Sequence, residues 1–138
     1  MDYVEISKII GYPCHPLNDE GTIALIEIPF TFTDGDDVPA YVEVDLDLVR
    51  FFDDGELFDH FYFRGLFRGD EADTGVLSTI AASNAVSFTD ELKLEVGTVP
   101  NEASAAFANY MAAMLAFVSW EKAWEACEGG EMPVLLAK

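Results

Sequence analysis

Residues 38–47, VPAYVEVDLD, carry the pattern that decides the fold. Apolar side chains occupy every second position of this segment: Val38, Ala40, Val42, Val44 and Leu46. Successive side chains of a β-strand point to opposite faces of the sheet, so the alternation predicts a strand with one face in the core. Glu43, Asp45 and Asp47 then share the solvent-facing side of that strand.

Turn signals on both sides make this strand the middle of an antiparallel meander. Thr22–Phe32 is rich in β-branched and aromatic residues and predicts the preceding strand, with Pro29 near its end. The TDGDD segment at 33–37 predicts the connecting turn, because Asp and Gly tolerate the left-handed backbone that a hairpin needs. Leu48–Phe52 is the predicted third strand, and the DDG segment at 53–55 is the turn that follows it.

Helical spacing of apolar residues and weak strand signals account for the rest of the chain. Short helices are predicted at Asp2–Ile10, Glu56–Phe67 and Thr74–Asn84, and a weak hairpin at Val86–Phe88 and Leu92–Val96. A long helix is predicted from Pro100 to about Cys127, with Asn101 as its N-cap and an inward stripe of Phe107, Met111, Met114 and Val118. The expected class is α+β: an antiparallel β-meander with short helices and a long C-terminal helix packed on the sheet.

Length and composition exclude some classes of protein. The chain has 138 residues and a net charge of −19, from 26 acidic and 7 basic side chains. A hydrophobic content of 51%, with 11 Phe, predicts a packed core and excludes a disordered acidic tail. We expect a single domain over residues 1–138, with 129–138 as a tail that the sequence leaves free to be flexible. Direct binding of nucleic acid is excluded by the sign of the charge.

The two cysteines and the apolar segments indicate the cellular compartment. No N-terminal segment has the pattern of a signal peptide, and the apolar stretch Ala103–Val118 is shorter than the ~20 residues of a membrane span. Cys14 and Cys127 lie near opposite ends of the chain, as in a reduced protein without a disulfide framework. We expect a cytoplasmic protein without a membrane partner.

The negative charge is concentrated in the predicted sheet and its turns. Segment 19–59 holds 13 of the 26 acidic residues, and Arg50 is its one basic residue. Glu43, Asp45 and Asp47 would follow one another at ~6.7 Å along one strand face, twice the rise per strand residue. Phosphates of one DNA strand rise 3.4 Å along the helix axis, so a row of carboxylates can imitate them. An ordinary solvated strand face and adaptation to high salt are the alternatives.

A second group of acidic residues admits a catalytic interpretation. Oxygen and nitrogen ligands for Mg²⁺ or Mn²⁺ are available from Asp53, Asp54, Glu56 and His60. A nuclease would place a lysine beside such a cluster, and none lies between Lys8 and Lys93. Turn chemistry followed by acidic residues at a helix N-terminus explains the same pattern, and we favour it.

Other chemical motifs are weaker still. Asp34, Asp36 and Asp37 around Gly35 resemble part of a calcium loop, but the twelfth position falls within the predicted strand. There is no phosphate-binding glycine loop and no nucleophile elbow. We therefore expect no catalytic residue, no cofactor and no metal site.

Trp120 and Trp124 lie four residues apart on the predicted long helix. Packing in the core is the favoured interpretation of this pair. A patch for a homodimer or another partner is the alternative, since aromatic side chains dominate protein interfaces.

Two segments resemble the domain-of-unknown-function family numbered 1828, which is associated with phages. Residues 28–43, IPFTFTDGDDVPAYVE, are similar to its "pf-x-x-x-dgd" turn and the extended "iyve" strand that follows. Residues 50–57, RFFDDGEL, resemble its "r-l-t-d-x-G-e-t-l" segment, although Phe52 stands where the family has Thr. The later strands from 85 to 96 and the helix from Glu102 extend the likeness over roughly residues 22–120, in a chain more acidic than the family. The resemblance implies a prophage or mobile-element setting and carries over no catalytic residue.

These observations predict a non-enzymatic, acidic protein that mimics nucleic acid in a bacterial cell. The expected partner is a basic nucleic-acid-binding complex of bacterial defence, either CRISPR–Cas or restriction–modification, whose channel it blocks. The expected contact residues are Asp34, Asp36, Asp37, Glu43, Asp45, Asp47, Asp53 and Asp54. The metal-dependent hydrolase and a plain dimerising domain remain the alternatives.

Overall fold

An antiparallel sheet organises the chain in the computed structural model, which describes residues 2–66 and 75–127. Within these residues the sheet has six strands in the order β1-β2-β3-β4-β6-β5. The strands are β1 Cys14–Pro16, β2 Ile23–Ile26, β3 Tyr41–Asp45, β4 Leu48–Phe52, β5 Ser87–Phe88 and β6 Leu94–Thr98. The helices are α1 Tyr3–Ile10, α2 Glu56–Phe63, α3 Gly75–Ser83 and α4 Ala103–Ala126. The predicted α+β class, with a long C-terminal helix packed on an antiparallel sheet, is confirmed.

The strand predicted at Thr22–Phe32 is too long. β2 ends at Ile26, and Phe32 turns into the core while its backbone N–H donates to the carbonyl of Asp36 at 2.9 Å. The β-rich composition beyond Ile26 therefore leads into an exposed turn that Phe32 anchors in the core. The preceding strand β1 was not predicted, because it has only three residues and one of them is a proline. It is a strand because it pairs with β2.

The hairpin of β3 and β4 confirms most of the alternation at 38–47. Val38, Ala40, Val42 and Val44 are buried as predicted, whereas Leu46 is 87% exposed. Asp45 pairs with Leu48, so Leu46 and Asp47 form a two-residue turn and not a continuation of the strand. The predicted row of three carboxylates is therefore wrong: Asp47 has left the strand.

Leu46 occupies a backbone conformation that suits another residue type. Its φ is 48°, in the left-handed region that costs an L-residue roughly 1–2 kcal/mol. Asn tolerates this region, so we expect Leu46→Asn to raise the free energy of unfolding by about 1 kcal/mol. Urea denaturation checks this, with Leu48→Asn, in the extended backbone of β4, as the control that should not be stabilised.

The long helix α4 contributes the largest share of one face of the core. Its buried residues are Ala103, Ala106, Phe107, Tyr110, Ala113, Met114, Phe117, Trp120 and Glu121. Phe107 and Met114 of the predicted stripe are buried, but Met111 and Val118 are only half-buried. Asn101 is not the N-cap, because a 3-10 turn at Pro100–Glu102 leads into the helix.

By length and composition alone, residues 100–126 also qualify as a candidate membrane span, because an 18-residue window within them has a mean hydropathy of 1.3. Eight buried apolar side chains of α4 account for much of this apolar composition, since they pack in the core.

Four short elements, α1, α2, β5 and β6, were predicted close to their observed bounds. α1 lies within the predicted Asp2–Ile10, and β5 and β6 form the predicted hairpin. α2 begins at Glu56 as predicted, and the chain turns at Gly65, whose φ of 74° suits glycine. The predicted ends of the two short helices at Phe67 and Thr74, and the tail 129–138, lie outside the described residues.

Candidate functional site

A buried carboxylate, that of Glu121 on α4, lies at the centre of the most polar cluster in the described chain. Its Oε1 accepts hydrogen bonds from the backbone N–H and the hydroxyl of Thr33, at 3.0 and 2.9 Å. Thr33 belongs to the turn after β2, 88 residues away in sequence. The cluster therefore joins the last helix to the first half of the sheet.

The second oxygen of Glu121 faces α2. Oε2 accepts from His60 Nε2 at 2.5 Å and from Arg64 Nη1 at 2.7 Å. Burial raises the pKa of Glu121, but the hydrogen bonds from Thr33, Arg64 and His60 outweigh it and hold the pKa below its ordinary value. The other Arg64 nitrogen, Nη2, donates to Glu125 Oε2 at 2.6 Å.

The second ring nitrogen of His60 points to the turn at 33–37. Nδ1 lies 3.2 Å from Asp36 Oδ2 and 4.0 Å from Asp34 Oδ2. The His60 side chain is only 5% exposed, and its ring stacks on Phe32 with centroids 3.9 Å apart. A hydrogen bond from the Asp36 backbone N–H, together with the charges of His60 and Arg64, keeps the pKa of Asp34 below its ordinary value.

An open cleft of about 550 Å³ lies over this cluster, which we name the acidic cleft. Its walls are Phe32, Asp34, Asp36, Asp37, Pro39, Glu56, Asp59, His60, Phe63 and Arg64. All five carboxylates are exposed, whereas the guanidinium of Arg64 is already paired with Glu121 and Glu125. The cleft therefore offers a concave, negatively charged surface.

Asp53 is not part of this surface. It was predicted as a partner-contact residue and, in the alternative, as a metal ligand, and both predictions are wrong. It is buried beneath α2, where Oδ2 accepts from the Leu57 N–H at 2.9 Å and Oδ1 from the Leu94 N–H at 2.6 Å. Burial raises its pKa to about 6, although these hydrogen bonds act in the opposite direction. Asp53 is thus a structural cap and cannot reach a partner.

The proposed metal-ligand set Asp53, Asp54, Glu56 and His60 is not brought together. Asp54 pairs with Lys93 at 3.3 Å. In the part of the chain that the structure describes, the group with suitably placed ligand atoms is Asp34, Asp36 and His60, within 4.8 Å of one another. Of the predicted set, only Glu56 and His60 line the acidic cleft.

The remaining predicted contact residues are distributed over both ends of β3. Asp34, Asp36 and Asp37 line the acidic cleft near its start, whereas Asp45 and Asp47 are exposed at the hairpin tip. Glu43 is half-buried and accepts from Arg50 Nε and Nη2 at 3.1 and 2.9 Å, so its charge is compensated. The acidic residues therefore form two separate groups.

Trp120 packs in the core, as the favoured interpretation expects. It is 1% exposed, and its ring meets that of Phe61 edge-on at 5.1 Å. Trp124 is half-buried on the same helix. Trp120 is therefore not available to a dimer partner while this packing holds.

Sequence reasoning missed Thr33, Arg64 and Glu121. The spacing of His60 and Arg64 puts both on one face of a helix, which is a usable signal. The sequence contains no such signal for Glu121, because its hydrogen-bond partners lie 57 to 88 residues away. A lone acidic residue beside Trp120 looks like any solvent-facing helix position.

Comparison with known proteins gives one match. The family model described as Domain of unknown function DUF1828 matches residues 28–117, which include Thr33, the acidic cleft and His60 but not Glu121. No curated protein and no solved structure matches the chain. The matched segment exceeds half of the 138 residues, so the chain belongs to the DUF1828 family.

Proposed function

We propose that this protein is a non-enzymatic binding protein that engages a basic nucleic-acid-binding protein in the place of nucleic acid. The observation that carries the proposal is the acidic cleft, in which five exposed carboxylates converge around a concave surface. Such a cleft suits the lysine and arginine side chains that otherwise contact phosphates.

The charge of the whole surface supports the same interpretation. Of the 13 acidic residues in segment 19–59, 11 are exposed, the exceptions being Glu43 and Asp53. Duplex DNA carries one charge per ~1.7 Å, so 19 negative charges correspond to ~32 Å of duplex. A field of this strength and sign accelerates association with a basic partner.

The two acidic groups define the extent of the proposed interface. Asp45 at the hairpin tip lies eight positions after Asp37 at the cleft, a distance of at most ~26 Å in extended chain. That length corresponds to about eight base pairs at 3.4 Å each. The cleft provides the principal contact, and Asp45 with Asp47 provides a second one.

The biological setting is part of the proposal. The resemblance to a phage-associated family implies a prophage or mobile element acting inside a bacterial cell, where a small acidic protein blocks a host machine. We propose a CRISPR–Cas or restriction–modification complex as the target, inhibited by occupation of its nucleic-acid channel in the cytoplasm.

Neutralising the cleft should weaken this association. We expect the triple variant Asp37→Asn, Glu56→Gln, Asp59→Asn to bind at least ~10-fold more weakly, because close charge pairs across interfaces contribute on the order of 1.5 kcal/mol or more. The variant Asp19→Asn, Glu20→Gln, Asp90→Asn changes net charge equally at exposed positions away from the cleft, and it should lose less than ~3-fold.

The measurement begins with capture from a bacterial lysate at ~0.05 M salt, followed by a step to ~0.5 M salt. The released protein is then titrated with each variant and with duplex DNA as competitor. Displacement by DNA and a steep salt dependence are the expected results. Binding that ignores salt, or equal losses in the two triple variants, contradicts the proposal.

A further inference from the structure

The hydrogen bonds of Glu121 determine which nitrogen of His60 carries a proton. Oε1 of this buried carboxylate accepts from the Thr33 N–H and Oε2 accepts from Arg64, while the single hydroxyl proton of Thr33 lies between Glu121 and Glu125. The ion pair with Arg64 holds Glu121 as a carboxylate, which acts only as an acceptor. The Nε2 atom of His60 must therefore be the N–H donor.

With Nε2 directed to Glu121, Nδ1 is the ring nitrogen of His60 that faces the cleft. Carboxylate oxygens of Asp36 and Asp34 lie 3.2 and 4.0 Å from Nδ1. The nitrogen is held in a side chain that is 95% buried and directed toward the open cleft. A cation at this point would meet one ring nitrogen and two carboxylate oxygens.

The spacing of these atoms suits a metal ion. Zinc lies about 2.0–2.2 Å from nitrogen and oxygen ligands, which places two ligands of a tetrahedral ion about 3.4 Å apart. The two contacts of Nδ1 bracket that distance, and the three ligand atoms lie within 4.8 Å of one another. We propose that Asp34, Asp36 and His60 bind one divalent transition-metal cation of the zinc class at the mouth of the acidic cleft.

The surroundings of His60 are those of a preorganised ligand. A carboxylate that accepts the distal N–H of a metal-binding histidine fixes its tautomer and increases its basicity. Glu121 occupies that position and is itself held by Thr33 and Arg64. Phe32 stacks on the imidazole, so the ring has little freedom to rotate away.

The imidazole ligand decides the class of cation. Carboxylates alone suit Mg²⁺ and Ca²⁺, whereas a nitrogen ligand favours zinc and its neighbours. Three protein ligands leave a fourth position open to the cleft, for water or for a group of a bound molecule. The inference does not rest on the proposed partner, since the cation site is complete within this chain.

Calorimetric titration of the full chain with Zn²⁺, Mg²⁺ and Ca²⁺ at ~0.15 M salt tests the site. We expect one Zn²⁺ per chain and at least ~10-fold weaker binding of the other two ions. The variant His60→Gln should weaken Zn²⁺ binding by ~100-fold or more, since even the outer partners of a ligand are worth 10–100-fold. Asp34→Asn with Asp36→Asn changes exposed residues only, and it gives an equivalent test if His60→Gln does not fold.

His15→Gln is the matched control, because His15 is exposed, contacts Glu27 at 3.1 Å and follows Cys14. It should retain wild-type affinity for Zn²⁺. Long-range ¹H–¹⁵N spectra should show Zn²⁺ shifting Nδ1 of His60 while its Nε2 stays protonated. Equal binding of all three ions, unchanged affinity in both ligand variants, or an unshifted Nδ1 at saturating Zn²⁺ would overturn the proposal.

Discussion

Glu121→Ala is expected to lower the free energy of unfolding by about 3–5 kcal/mol, the range for breaking a buried ion pair. The substitution removes an acceptor of four hydrogen bonds and leaves His60 and Arg64 without their shared carboxylate. It also leaves the Thr33 N–H and hydroxyl without that acceptor. The loss is large because the Thr33 N–H and the Nε2 of His60 lose their acceptor at a buried position, whereas Arg64 and the Thr33 hydroxyl keep only the more exposed Glu125.

Urea denaturation at pH 7 measures this effect, and Glu125→Ala is its control. Glu125 also pairs with Arg64, at 2.6 Å, but its side chain is 34% exposed. Exposed ion pairs contribute at most about 1 kcal/mol, so the control should lose no more than that. Similar losses in the two variants would mean that the buried cluster does not stabilise the junction of α2, α4 and the turn at 33–37.

Asp53→Ala is expected to lower the free energy of unfolding at pH 7 by about 2–6 kcal/mol, from two amides that lose their acceptor. The Asp53 carboxylate accepts from two buried backbone amides, those of Leu57 and Leu94. Alanine leaves both amides unsatisfied, at roughly 1–3 kcal/mol for each. Asp54→Ala is the matched neighbour, with a side chain that is 69% exposed, and it should lose less than about 1 kcal/mol.

Asp53 also gives stability a specific pH dependence. Its folded pKa of about 6 lies above its unfolded value near ~3.9, so between these pH values the folded chain holds a proton that the unfolded chain has lost. Stability contributed by this group is therefore full below pH ~4 and falls as the pH rises to about 6, by roughly 3 kcal/mol.

Glu121 and Asp34 act in the opposite direction and in a different pH range. Their folded pKa values are lowered, so their contribution is present above the unfolded value near ~4 and is lost at more acidic pH. Between pH ~4 and ~6, Asp53 should therefore be the one of these three groups that makes the free energy of unfolding fall with rising pH. Denaturation series at pH 4.5, 5.5 and 6.5 should show that slope in the wild type and not in Asp53→Ala; a persistent slope would contradict the assignment.

Local patterns explain why much of the fold was predictable. The alternation at 38–44 and the composition of Leu48–Phe52 report burial of one strand face, which depends on neighbours two residues apart. The same pattern wrongly predicted Leu46 as a buried strand residue, because the neighbouring strand decides where a strand ends. Asp45 pairs with Leu48, which leaves only a turn between them.

The candidate site was predictable in part. Asp34, Asp36 and Asp37 attracted attention as an acidic turn, and His60 as a neighbour of acidic residues. Asp53 belongs to the same run of acids, yet it is buried under α2. Composition cannot separate a surface carboxylate from a buried cap, since both favour a turn before a helix.

The sequence by itself determined the α+β class, the strong negative charge and its concentration in segment 19–59, because these depend on composition and on spacing along the chain. Only the tertiary structure decided which carboxylates are available and which are not. It joined Thr33, His60 and Arg64 to Glu121 across 57 to 88 residues and made a buried ionic cluster beneath an acidic cleft. Such contacts form when the sheet, α2 and α4 pack together, and no local pattern encodes them.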